Sequence, residues 1–172
     1  MTTVDVIARP TGKAKKEIIP FKSMDIQHLG IRESTVMGDQ YVNMLKNDPS
    51  TLECLENLTS FTGLWNGEPL CCGGLWHMWE GVAGAWAMFR EYGGYSFDQI
   101  KWMSTACENQ IRGCAERMGL WRVQATVARK YHAGFKFALS IGFKPETVME
   151  CYDESGRDHW LLSITWPKRR NH

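Results

Sequence analysis

The sequence predicts an α+β domain, and three observations carry that prediction. Apolar residues recur at helical spacing early in the chain, change to a strand-like pattern between residues 60 and 89, and then alternate helix, strand, helix and hairpin. Asn66-Gly67 stands between two strand-like runs, a strong short-range signal for a β-hairpin. Ser96 and Gln99 make an S-x-x-Q capping box, and Gly119 falls at a C-cap position, so the two bracket one amphipathic segment as a helix.

The first strand is "EIIPF" (17–21), where Pro20 suits an edge and not the middle of a sheet. Ile26 with Leu29, then Met37, Tyr41, Met44 and Leu45, fit two helices broken near Gly30 to Glu33 and closed by Pro49. Ser50 three residues before Glu53 opens a third, short helix. "SFTGLW" and "PLCCGGLW" flank the Asn-Gly turn and "GVAGAWAMF" (81–89) follows, which makes residues 60 to 89 an antiparallel meander. Ile100, Met103, Cys107, Ile111, Cys114 and Met118 form the apolar stripe of the long helix. "LWRVQATV" (120–127) alternates as a strand, "YHAGFKFALSIGF" is a helix ending at Gly142, and "TVMECYDESGRDHWLLSITW" is a hairpin turning at Glu154 to Arg157.

Composition narrows the function. Lysine plus arginine total 20 against 19 acidic residues in 172, so no field of one sign exists to hold nucleic acid or an anionic membrane. "GKAKK" (12–16) and "KRR" (168–170) read as solvated ends, and the organisation expected is an arm over 1–15, one domain over 16–166 and a basic tail over 167–172. No signal peptide and no run of 18 apolar residues is present, so a soluble protein of the cytoplasm is expected. The six cysteines lack C-x-x-C spacing, and strand alternation sends Cys71 and Cys72 to opposite faces, away from a shared site with His77. Reduced, mostly buried thiols and no metal are expected. Trp76, Trp79 and Trp86 are expected in the core in preference to a stacking platform.

The C-terminal third, a strand followed by a helix running into "IGF" (141–143) and a closing hairpin, resembles the end of the GNAT superfamily of N-acetyltransferases. With the meander, the resemblance covers roughly residues 16 to 166 as an order of elements. It implies a mixed, mostly antiparallel sheet with helices on both faces, and acetyl transfer from acetyl-CoA, bound between strands four and five, to an amine on a small molecule or protein. "GEPLCCGGLW", "GAWAMF" and "GFKPETVMECYDESGRDHWLL" are similar to a phage and prophage branch that includes the small internal virion protein of T7-like podophages. That likeness implies a protein working in the cytoplasm of a host cell, or associated with a virion.

The resemblance also assigns residues. "FREYGGYSFDQ" (89–99) occupies the place of the family's pyrophosphate loop, with Arg90 and Gly93 on the pattern and Tyr95 where a small residue belongs. Met88, Arg90, Gly93, Gly94, Tyr95 and Ser96 are the implied cofactor contacts. The 24 positions from Tyr95 to Gly119 exceed the usual single helix and imply an extended loop. Ala138 and Tyr131 stand where many members carry a Tyr acid and an Asn. The substitutes are Glu80 as base, with Tyr131, His132, Tyr92 or Tyr95 entering the cleft. The second reading is an inactive fold, its groove filled by Tyr95, Phe97 and Trp102 or these forming a partner surface for a virion or host protein.

Overall fold

A computed structural model describes residues 13–31, 50–56, 59–91 and 93–167. Its elements are β1 (Lys16–Pro20), a 3-10 helix (Ser23–Leu29), α1 (Ser50–Glu56), β2 (Thr59–Trp65), β3 (Glu68–Trp79), β4 (Val82–Phe89), α2 (Phe97–Met118), β5 (Arg122–Ala128), α3 (His132–Ser140), β6 (Lys144–Met149) and β7 (His159–Thr165). The strands make one seven-stranded sheet in the order β1-β2-β3-β4-β5-β7-β6, antiparallel except where β4 meets β5. The predicted helix carrying Met37, Tyr41, Met44 and Leu45 lies outside the described residues, as do Tyr92, residues 1–12 of the arm and residues 168–172 of the tail.

Local chemistry explains the element ends. β1 pairs only with β2, so Pro20 removes no hydrogen bond that the sheet needs. The following helix is tight because Asp25 accepts from the Lys22 N–H at 3.0 Å and from the buried Thr62 hydroxyl at 2.6 Å, which sets Ile26 and Leu29 three apart on one buried side. Asn66 and Gly67 both take positive φ, 54° and 85°, as a type I′ hairpin turn demands. Ser96 Oγ accepts from the Gln99 N–H at 3.2 Å while Gln99 Oε1 accepts from the Ser96 N–H at 2.8 Å. From there α2 runs unbroken for 22 residues to Gly119, so the long spacing after Tyr95 is a long helix and not an extended loop.

Both faces of the sheet are covered. Leu75, Ala83, Val123 and Leu162 meet Cys107, Ile111 and Cys114 of α2 and Ala138 of α3. Phe21, Ile26, Leu29 and Leu55 cover Cys72 and Met88 on the other face. Cys71 and Cys72 therefore do face opposite ways, and burial pushes the Cys72 thiol up to about 12. Cys71, Cys107 and Cys114 are also buried, while Cys54 and Cys151 are exposed.

Two expectations are corrected. Trp76 and Trp79 are not core residues: 37% and 56% of their surfaces stay exposed, because β3 carries them beyond the helices that cover its middle. Trp86 is half-buried, edge-on to Phe21 at 5.1 Å. The last hairpin turns over residues 150–158, longer than predicted. Asp153 organises that loop, accepting from the Ser155 and Arg157 N–H groups at 3.0 and 2.9 Å and from Arg157 Nε at 2.6 Å, with His159 Nε2 at 3.0 Å. Burial pushes the Asp153 carboxyl up, but these partners outweigh it and hold the group well below the usual carboxylate range. Among the described residues no helix is long and apolar enough to cross a membrane.

Candidate functional site

The parallel pairing of β4 with β5 lasts only three residues, Val82 with Arg122, Ala83 with Val123 and Gly84 with Gln124. Beyond that point each strand follows its other neighbour: residues 85–89 stay on β3, and residues 125–128 stay on β7. The sheet therefore opens into a V whose facing backbone edges are no longer paired with each other. A cavity of about 600 Å³ fills the V, within the size range of small-molecule sites. Ala87, Phe89, Val127, Tyr131 and Phe137 contribute to its walls. Among the described residues that line it, none is Lys, Arg, His, Asp or Glu.

Tyr131, the residue before α3, is the one tyrosine among the described residues that line this cavity. Its ring lies against Gly134, where a Cβ would collide with it, so glycine in the first turn of α3 seats the phenol. Burial, and secondly the Glu91 carboxylate, raise its pKa, so at neutral pH the phenol keeps its proton. His132 is exposed and does not line the cavity.

Glu80 is not brought to the cleft. It lies in the turn before β4, whereas the V opens toward the other end of that strand. Five residues of extended chain from Glu80 to Ala85 span about 17 Å. Glu80 lines a separate depression with Arg112, Glu116 and Trp121.

The loop after β4 stands at the mouth of the V. Met88 is buried and lines the cavity. Gly93 and Gly94 are exposed with φ of 77° and 62°, and nothing lies within 4 Å of a side chain built on either. Ser96 is exposed at the head of α2. Arg90 turns back on its own loop, donating to the Gly94 carbonyl at 3.3 Å and pairing with Glu68 at 3.6 Å.

The groove-filling residues of the second reading lie elsewhere. Tyr95 packs with Leu70, Cys71 and Met103, and its hydroxyl donates to the Arg90 carbonyl at 2.6 Å. Burial pushes that phenol well above its ordinary range. Trp102 packs edge-on to Trp65 at 5.9 Å. Neither lines the cavity. Trp76, Trp86, Thr126 and Phe137 do line it, and the sequence reading named none of them as site residues. The available signal was mid-strand glycine, since Gly73, Gly74 and Gly84 mark where a neighbouring chain or ring comes close.

A sheet splayed at its one parallel pair, with the helix that follows the fourth strand packed on its face, decides the architecture. RimL, a ribosomal L7/L12 α-N-protein acetyltransferase solved with coenzyme A, superposes with TM-score 0.66 at 13% identity over 87% of this chain and 93% of its own. This is the GNAT acetyltransferase fold. The fold is shared by the Salmonella typhimurium protein yncA, solved with its cofactor acetyl-CoA (TM-score 0.61, 11% identity, 91% and 96% covered). It is shared too by a GNAT-family acetyltransferase from Bacillus anthracis (TM-score 0.60, 16% identity, 89% and 96% covered). No protein-family profile and no curated protein sequence matches the chain.

Proposed function

We propose that the chain is an acetyl-CoA-dependent N-acetyltransferase. The observation that carries this reading is the open V between β4 and β5, uncharged among the described residues that line it, with Tyr131 in its wall and neither Tyr95 nor Trp102 across it. The structure fits the cofactor in two respects. The unpaired strand edges offer backbone donors and acceptors to an amide-bearing arm, and the bare Gly93-Gly94 backbone with Ser96 leaves room for phosphate oxygens to approach. Met88 and those three residues would hold it, with Arg90 and Tyr95 bracing the loop from behind.

When bound, acetyl-CoA supplies an activated acyl carbon, to which the amine nitrogen bonds as the carbon–sulfur bond breaks, giving an amide and a free thiol. The residues of this chain supply the rest. An uncharged cavity disfavours ammonium and selects the neutral amine, the attacking form. The Tyr131 phenol holds its proton until a departing thiolate needs it, and the proton lost by the amine restores the phenol. Orientation of amine against acyl group in a fixed cleft contributes several kcal/mol more. Glu80, at the closed end, has no part in this scheme.

A phage setting is the finer part of the reading. Phe97 and Ile100 on the first turn of α2, 79% and 45% exposed, favour a second one, in which the fold binds a virion or host protein without chemistry. Calorimetric titration with acetyl-CoA separates them. Micromolar binding is expected, with Tyr131→Phe leaving binding unchanged and slowing amine-dependent thiol release by about 100-fold. No heat and no thermal shift at millimolar acetyl-CoA would refute the transferase reading.

A further inference from the structure

The cavity does not end at the sheet. Ala85 and Ala125 directly follow Gly84 and Gln124, the last residues that pair β4 with β5, so they are the first side chains of the parting strands, at the apex of the V. Ala85 pairs with Leu75 and Ala125 with Leu162, both residues of the core under α2 and α3. Direct cross-strand neighbours share a face, so both alanines point into that core, and both line the cavity. Their methyl groups leave a neck through which the V continues between the sheet and the helices. Beyond it Cys107, Ile111 and Cys114, four and three residues apart on one face of α2, and Ala138 of α3 form the walls of a lobe. Gln110, half-buried, lines the cavity on the same stretch of α2. Each of the four wall residues keeps only 3% to 8% of its surface exposed, so the lobe is narrow. The step from Cys107 to Cys114 spans two turns, about 10 Å of helix axis. Protein interiors leave few voids wider than a water molecule, and apolar ones stay dry and take apolar ligands, so a lobe of this shape suits a slender hydrocarbon.

We infer that this lobe is an acyl subsite, and that the donor it favours is a straight-chain acyl thioester longer than acetyl, hexanoyl to octanoyl in length. The inference rests on the transferase reading and names its donor class. The loop that would hold the pyrophosphate opens α2, and the lobe runs along the same helix, so donor and lobe lie on one side of the sheet. A thioester carbon at the apex stands beside the neck, and the part of the donor that extends past that carbon is its acyl chain. An acetyl group ends there and leaves the lobe empty. A longer chain enters it, and each methylene buried contributes up to about fourfold in affinity. The narrow walls admit an unbranched chain and oppose a branched one, since extra volume in a packed interior forces side chains off their rotamers. The bond changes are those of acetyl transfer: the amine nitrogen bonds to the acyl carbon, the carbon–sulfur bond breaks, and the proton lost by the nitrogen ends on the thiol.

Calorimetry of the full chain with acetyl-, butyryl-, hexanoyl-, octanoyl- and isovaleryl-CoA reads the subsite directly. Affinity is expected to rise at least about tenfold from acetyl- to hexanoyl-CoA, with the branched isovaleryl ester weaker than butyryl-CoA. Ala125→Leu narrows the neck and should bring hexanoyl-CoA to within about threefold of acetyl-CoA. Cys114→Leu fills the far end and should move the best donor to a shorter chain. Urea midpoints establish that each variant is folded, and the wild-type series decides the matter without them. A series that stays flat from acetyl to octanoyl while acetyl-CoA binds would overturn the assignment and leave the transferase reading in place. A gain that both folded variants keep in full would also overturn it, because the chain would then bind elsewhere. S-octanoyl-N-acetylcysteamine, a thioester without the nucleotide, separates the two readings. If acetyl-CoA gives no heat while this probe binds more tightly than its acetyl counterpart and loses that gain in Ala125→Leu, the transferase reading falls and the subsite stands.

Discussion

Gly84→Ala tests the apex of the cleft directly. The added methyl would occupy the place of the Trp76 ring, so the ring must swing outward. With 37% of Trp76 exposed, about 150 Å² of it is buried, and exposing half of that area costs about 2 kcal/mol at 25 cal/mol per Å². Urea unfolding followed by far-ultraviolet circular dichroism should show that loss, and tryptophan emission of the folded variant should shift to the red. Because the whole cost is assigned to one contact, Gly84→Ala made on a Trp76→Ala background should cost less than about 0.5 kcal/mol. If the two substitutions add without coupling, the ring does not lie across Gly84 in solution and the description of the apex is wrong.

Two further outcomes follow from the network and the cap. Glu146 accepts from Arg122 at 2.7 and 2.8 Å and from Ser163 at 2.5 Å, and these partners lower its pKa from 4.5 to about 2. A depressed carboxyl stabilises the fold above its unfolded pKa, so the increment should be whole at pH 7 and fade as pH falls from 4.5 toward 2. With 37% of the Glu146 side chain exposed, solvent screening reduces it to about 1 kcal/mol, and urea midpoints of wild type and Glu146→Gln should differ at pH 7 and converge near pH 2. Ser96→Ala removes the N-cap of α2 and should cost about 1 kcal/mol, whereas Ser96→Asp should restore most of it. Chemical denaturation of the three proteins side by side decides the point.

What the sequence revealed of the fold was what short-range chemistry dictates. Asn66-Gly67 can take two left-handed residues in succession, and the Ser96–Gln99 box and Gly119 mark helix ends by hydrogen bonds that local sequence determines. The tryptophans misled because burial depends on which helix covers which part of a strand, and β3 outruns its cover at Trp76. The candidate site was read only in part for a similar reason. Tyr131 and Met88 adjoin the cleft, but Glu80 was assigned from the family resemblance by its place before β4, which does not tell toward which end the strands part. Gly74 and Trp86, which both line the cavity, face each other across β3 and β4, a pairing that register creates and no single stretch of sequence displays.

The three-residue seam between β4 and β5 also has a kinetic consequence. Most other strand pairs are hairpins or neighbours close in sequence, whereas the seam joins segments separated by the whole of α2. Closing a loop of about 35 residues for three paired positions gives little return at the moment of closure. The seam should therefore be the last part of the sheet to zip, after α2 has docked on both halves, and the first to open when the chain unfolds.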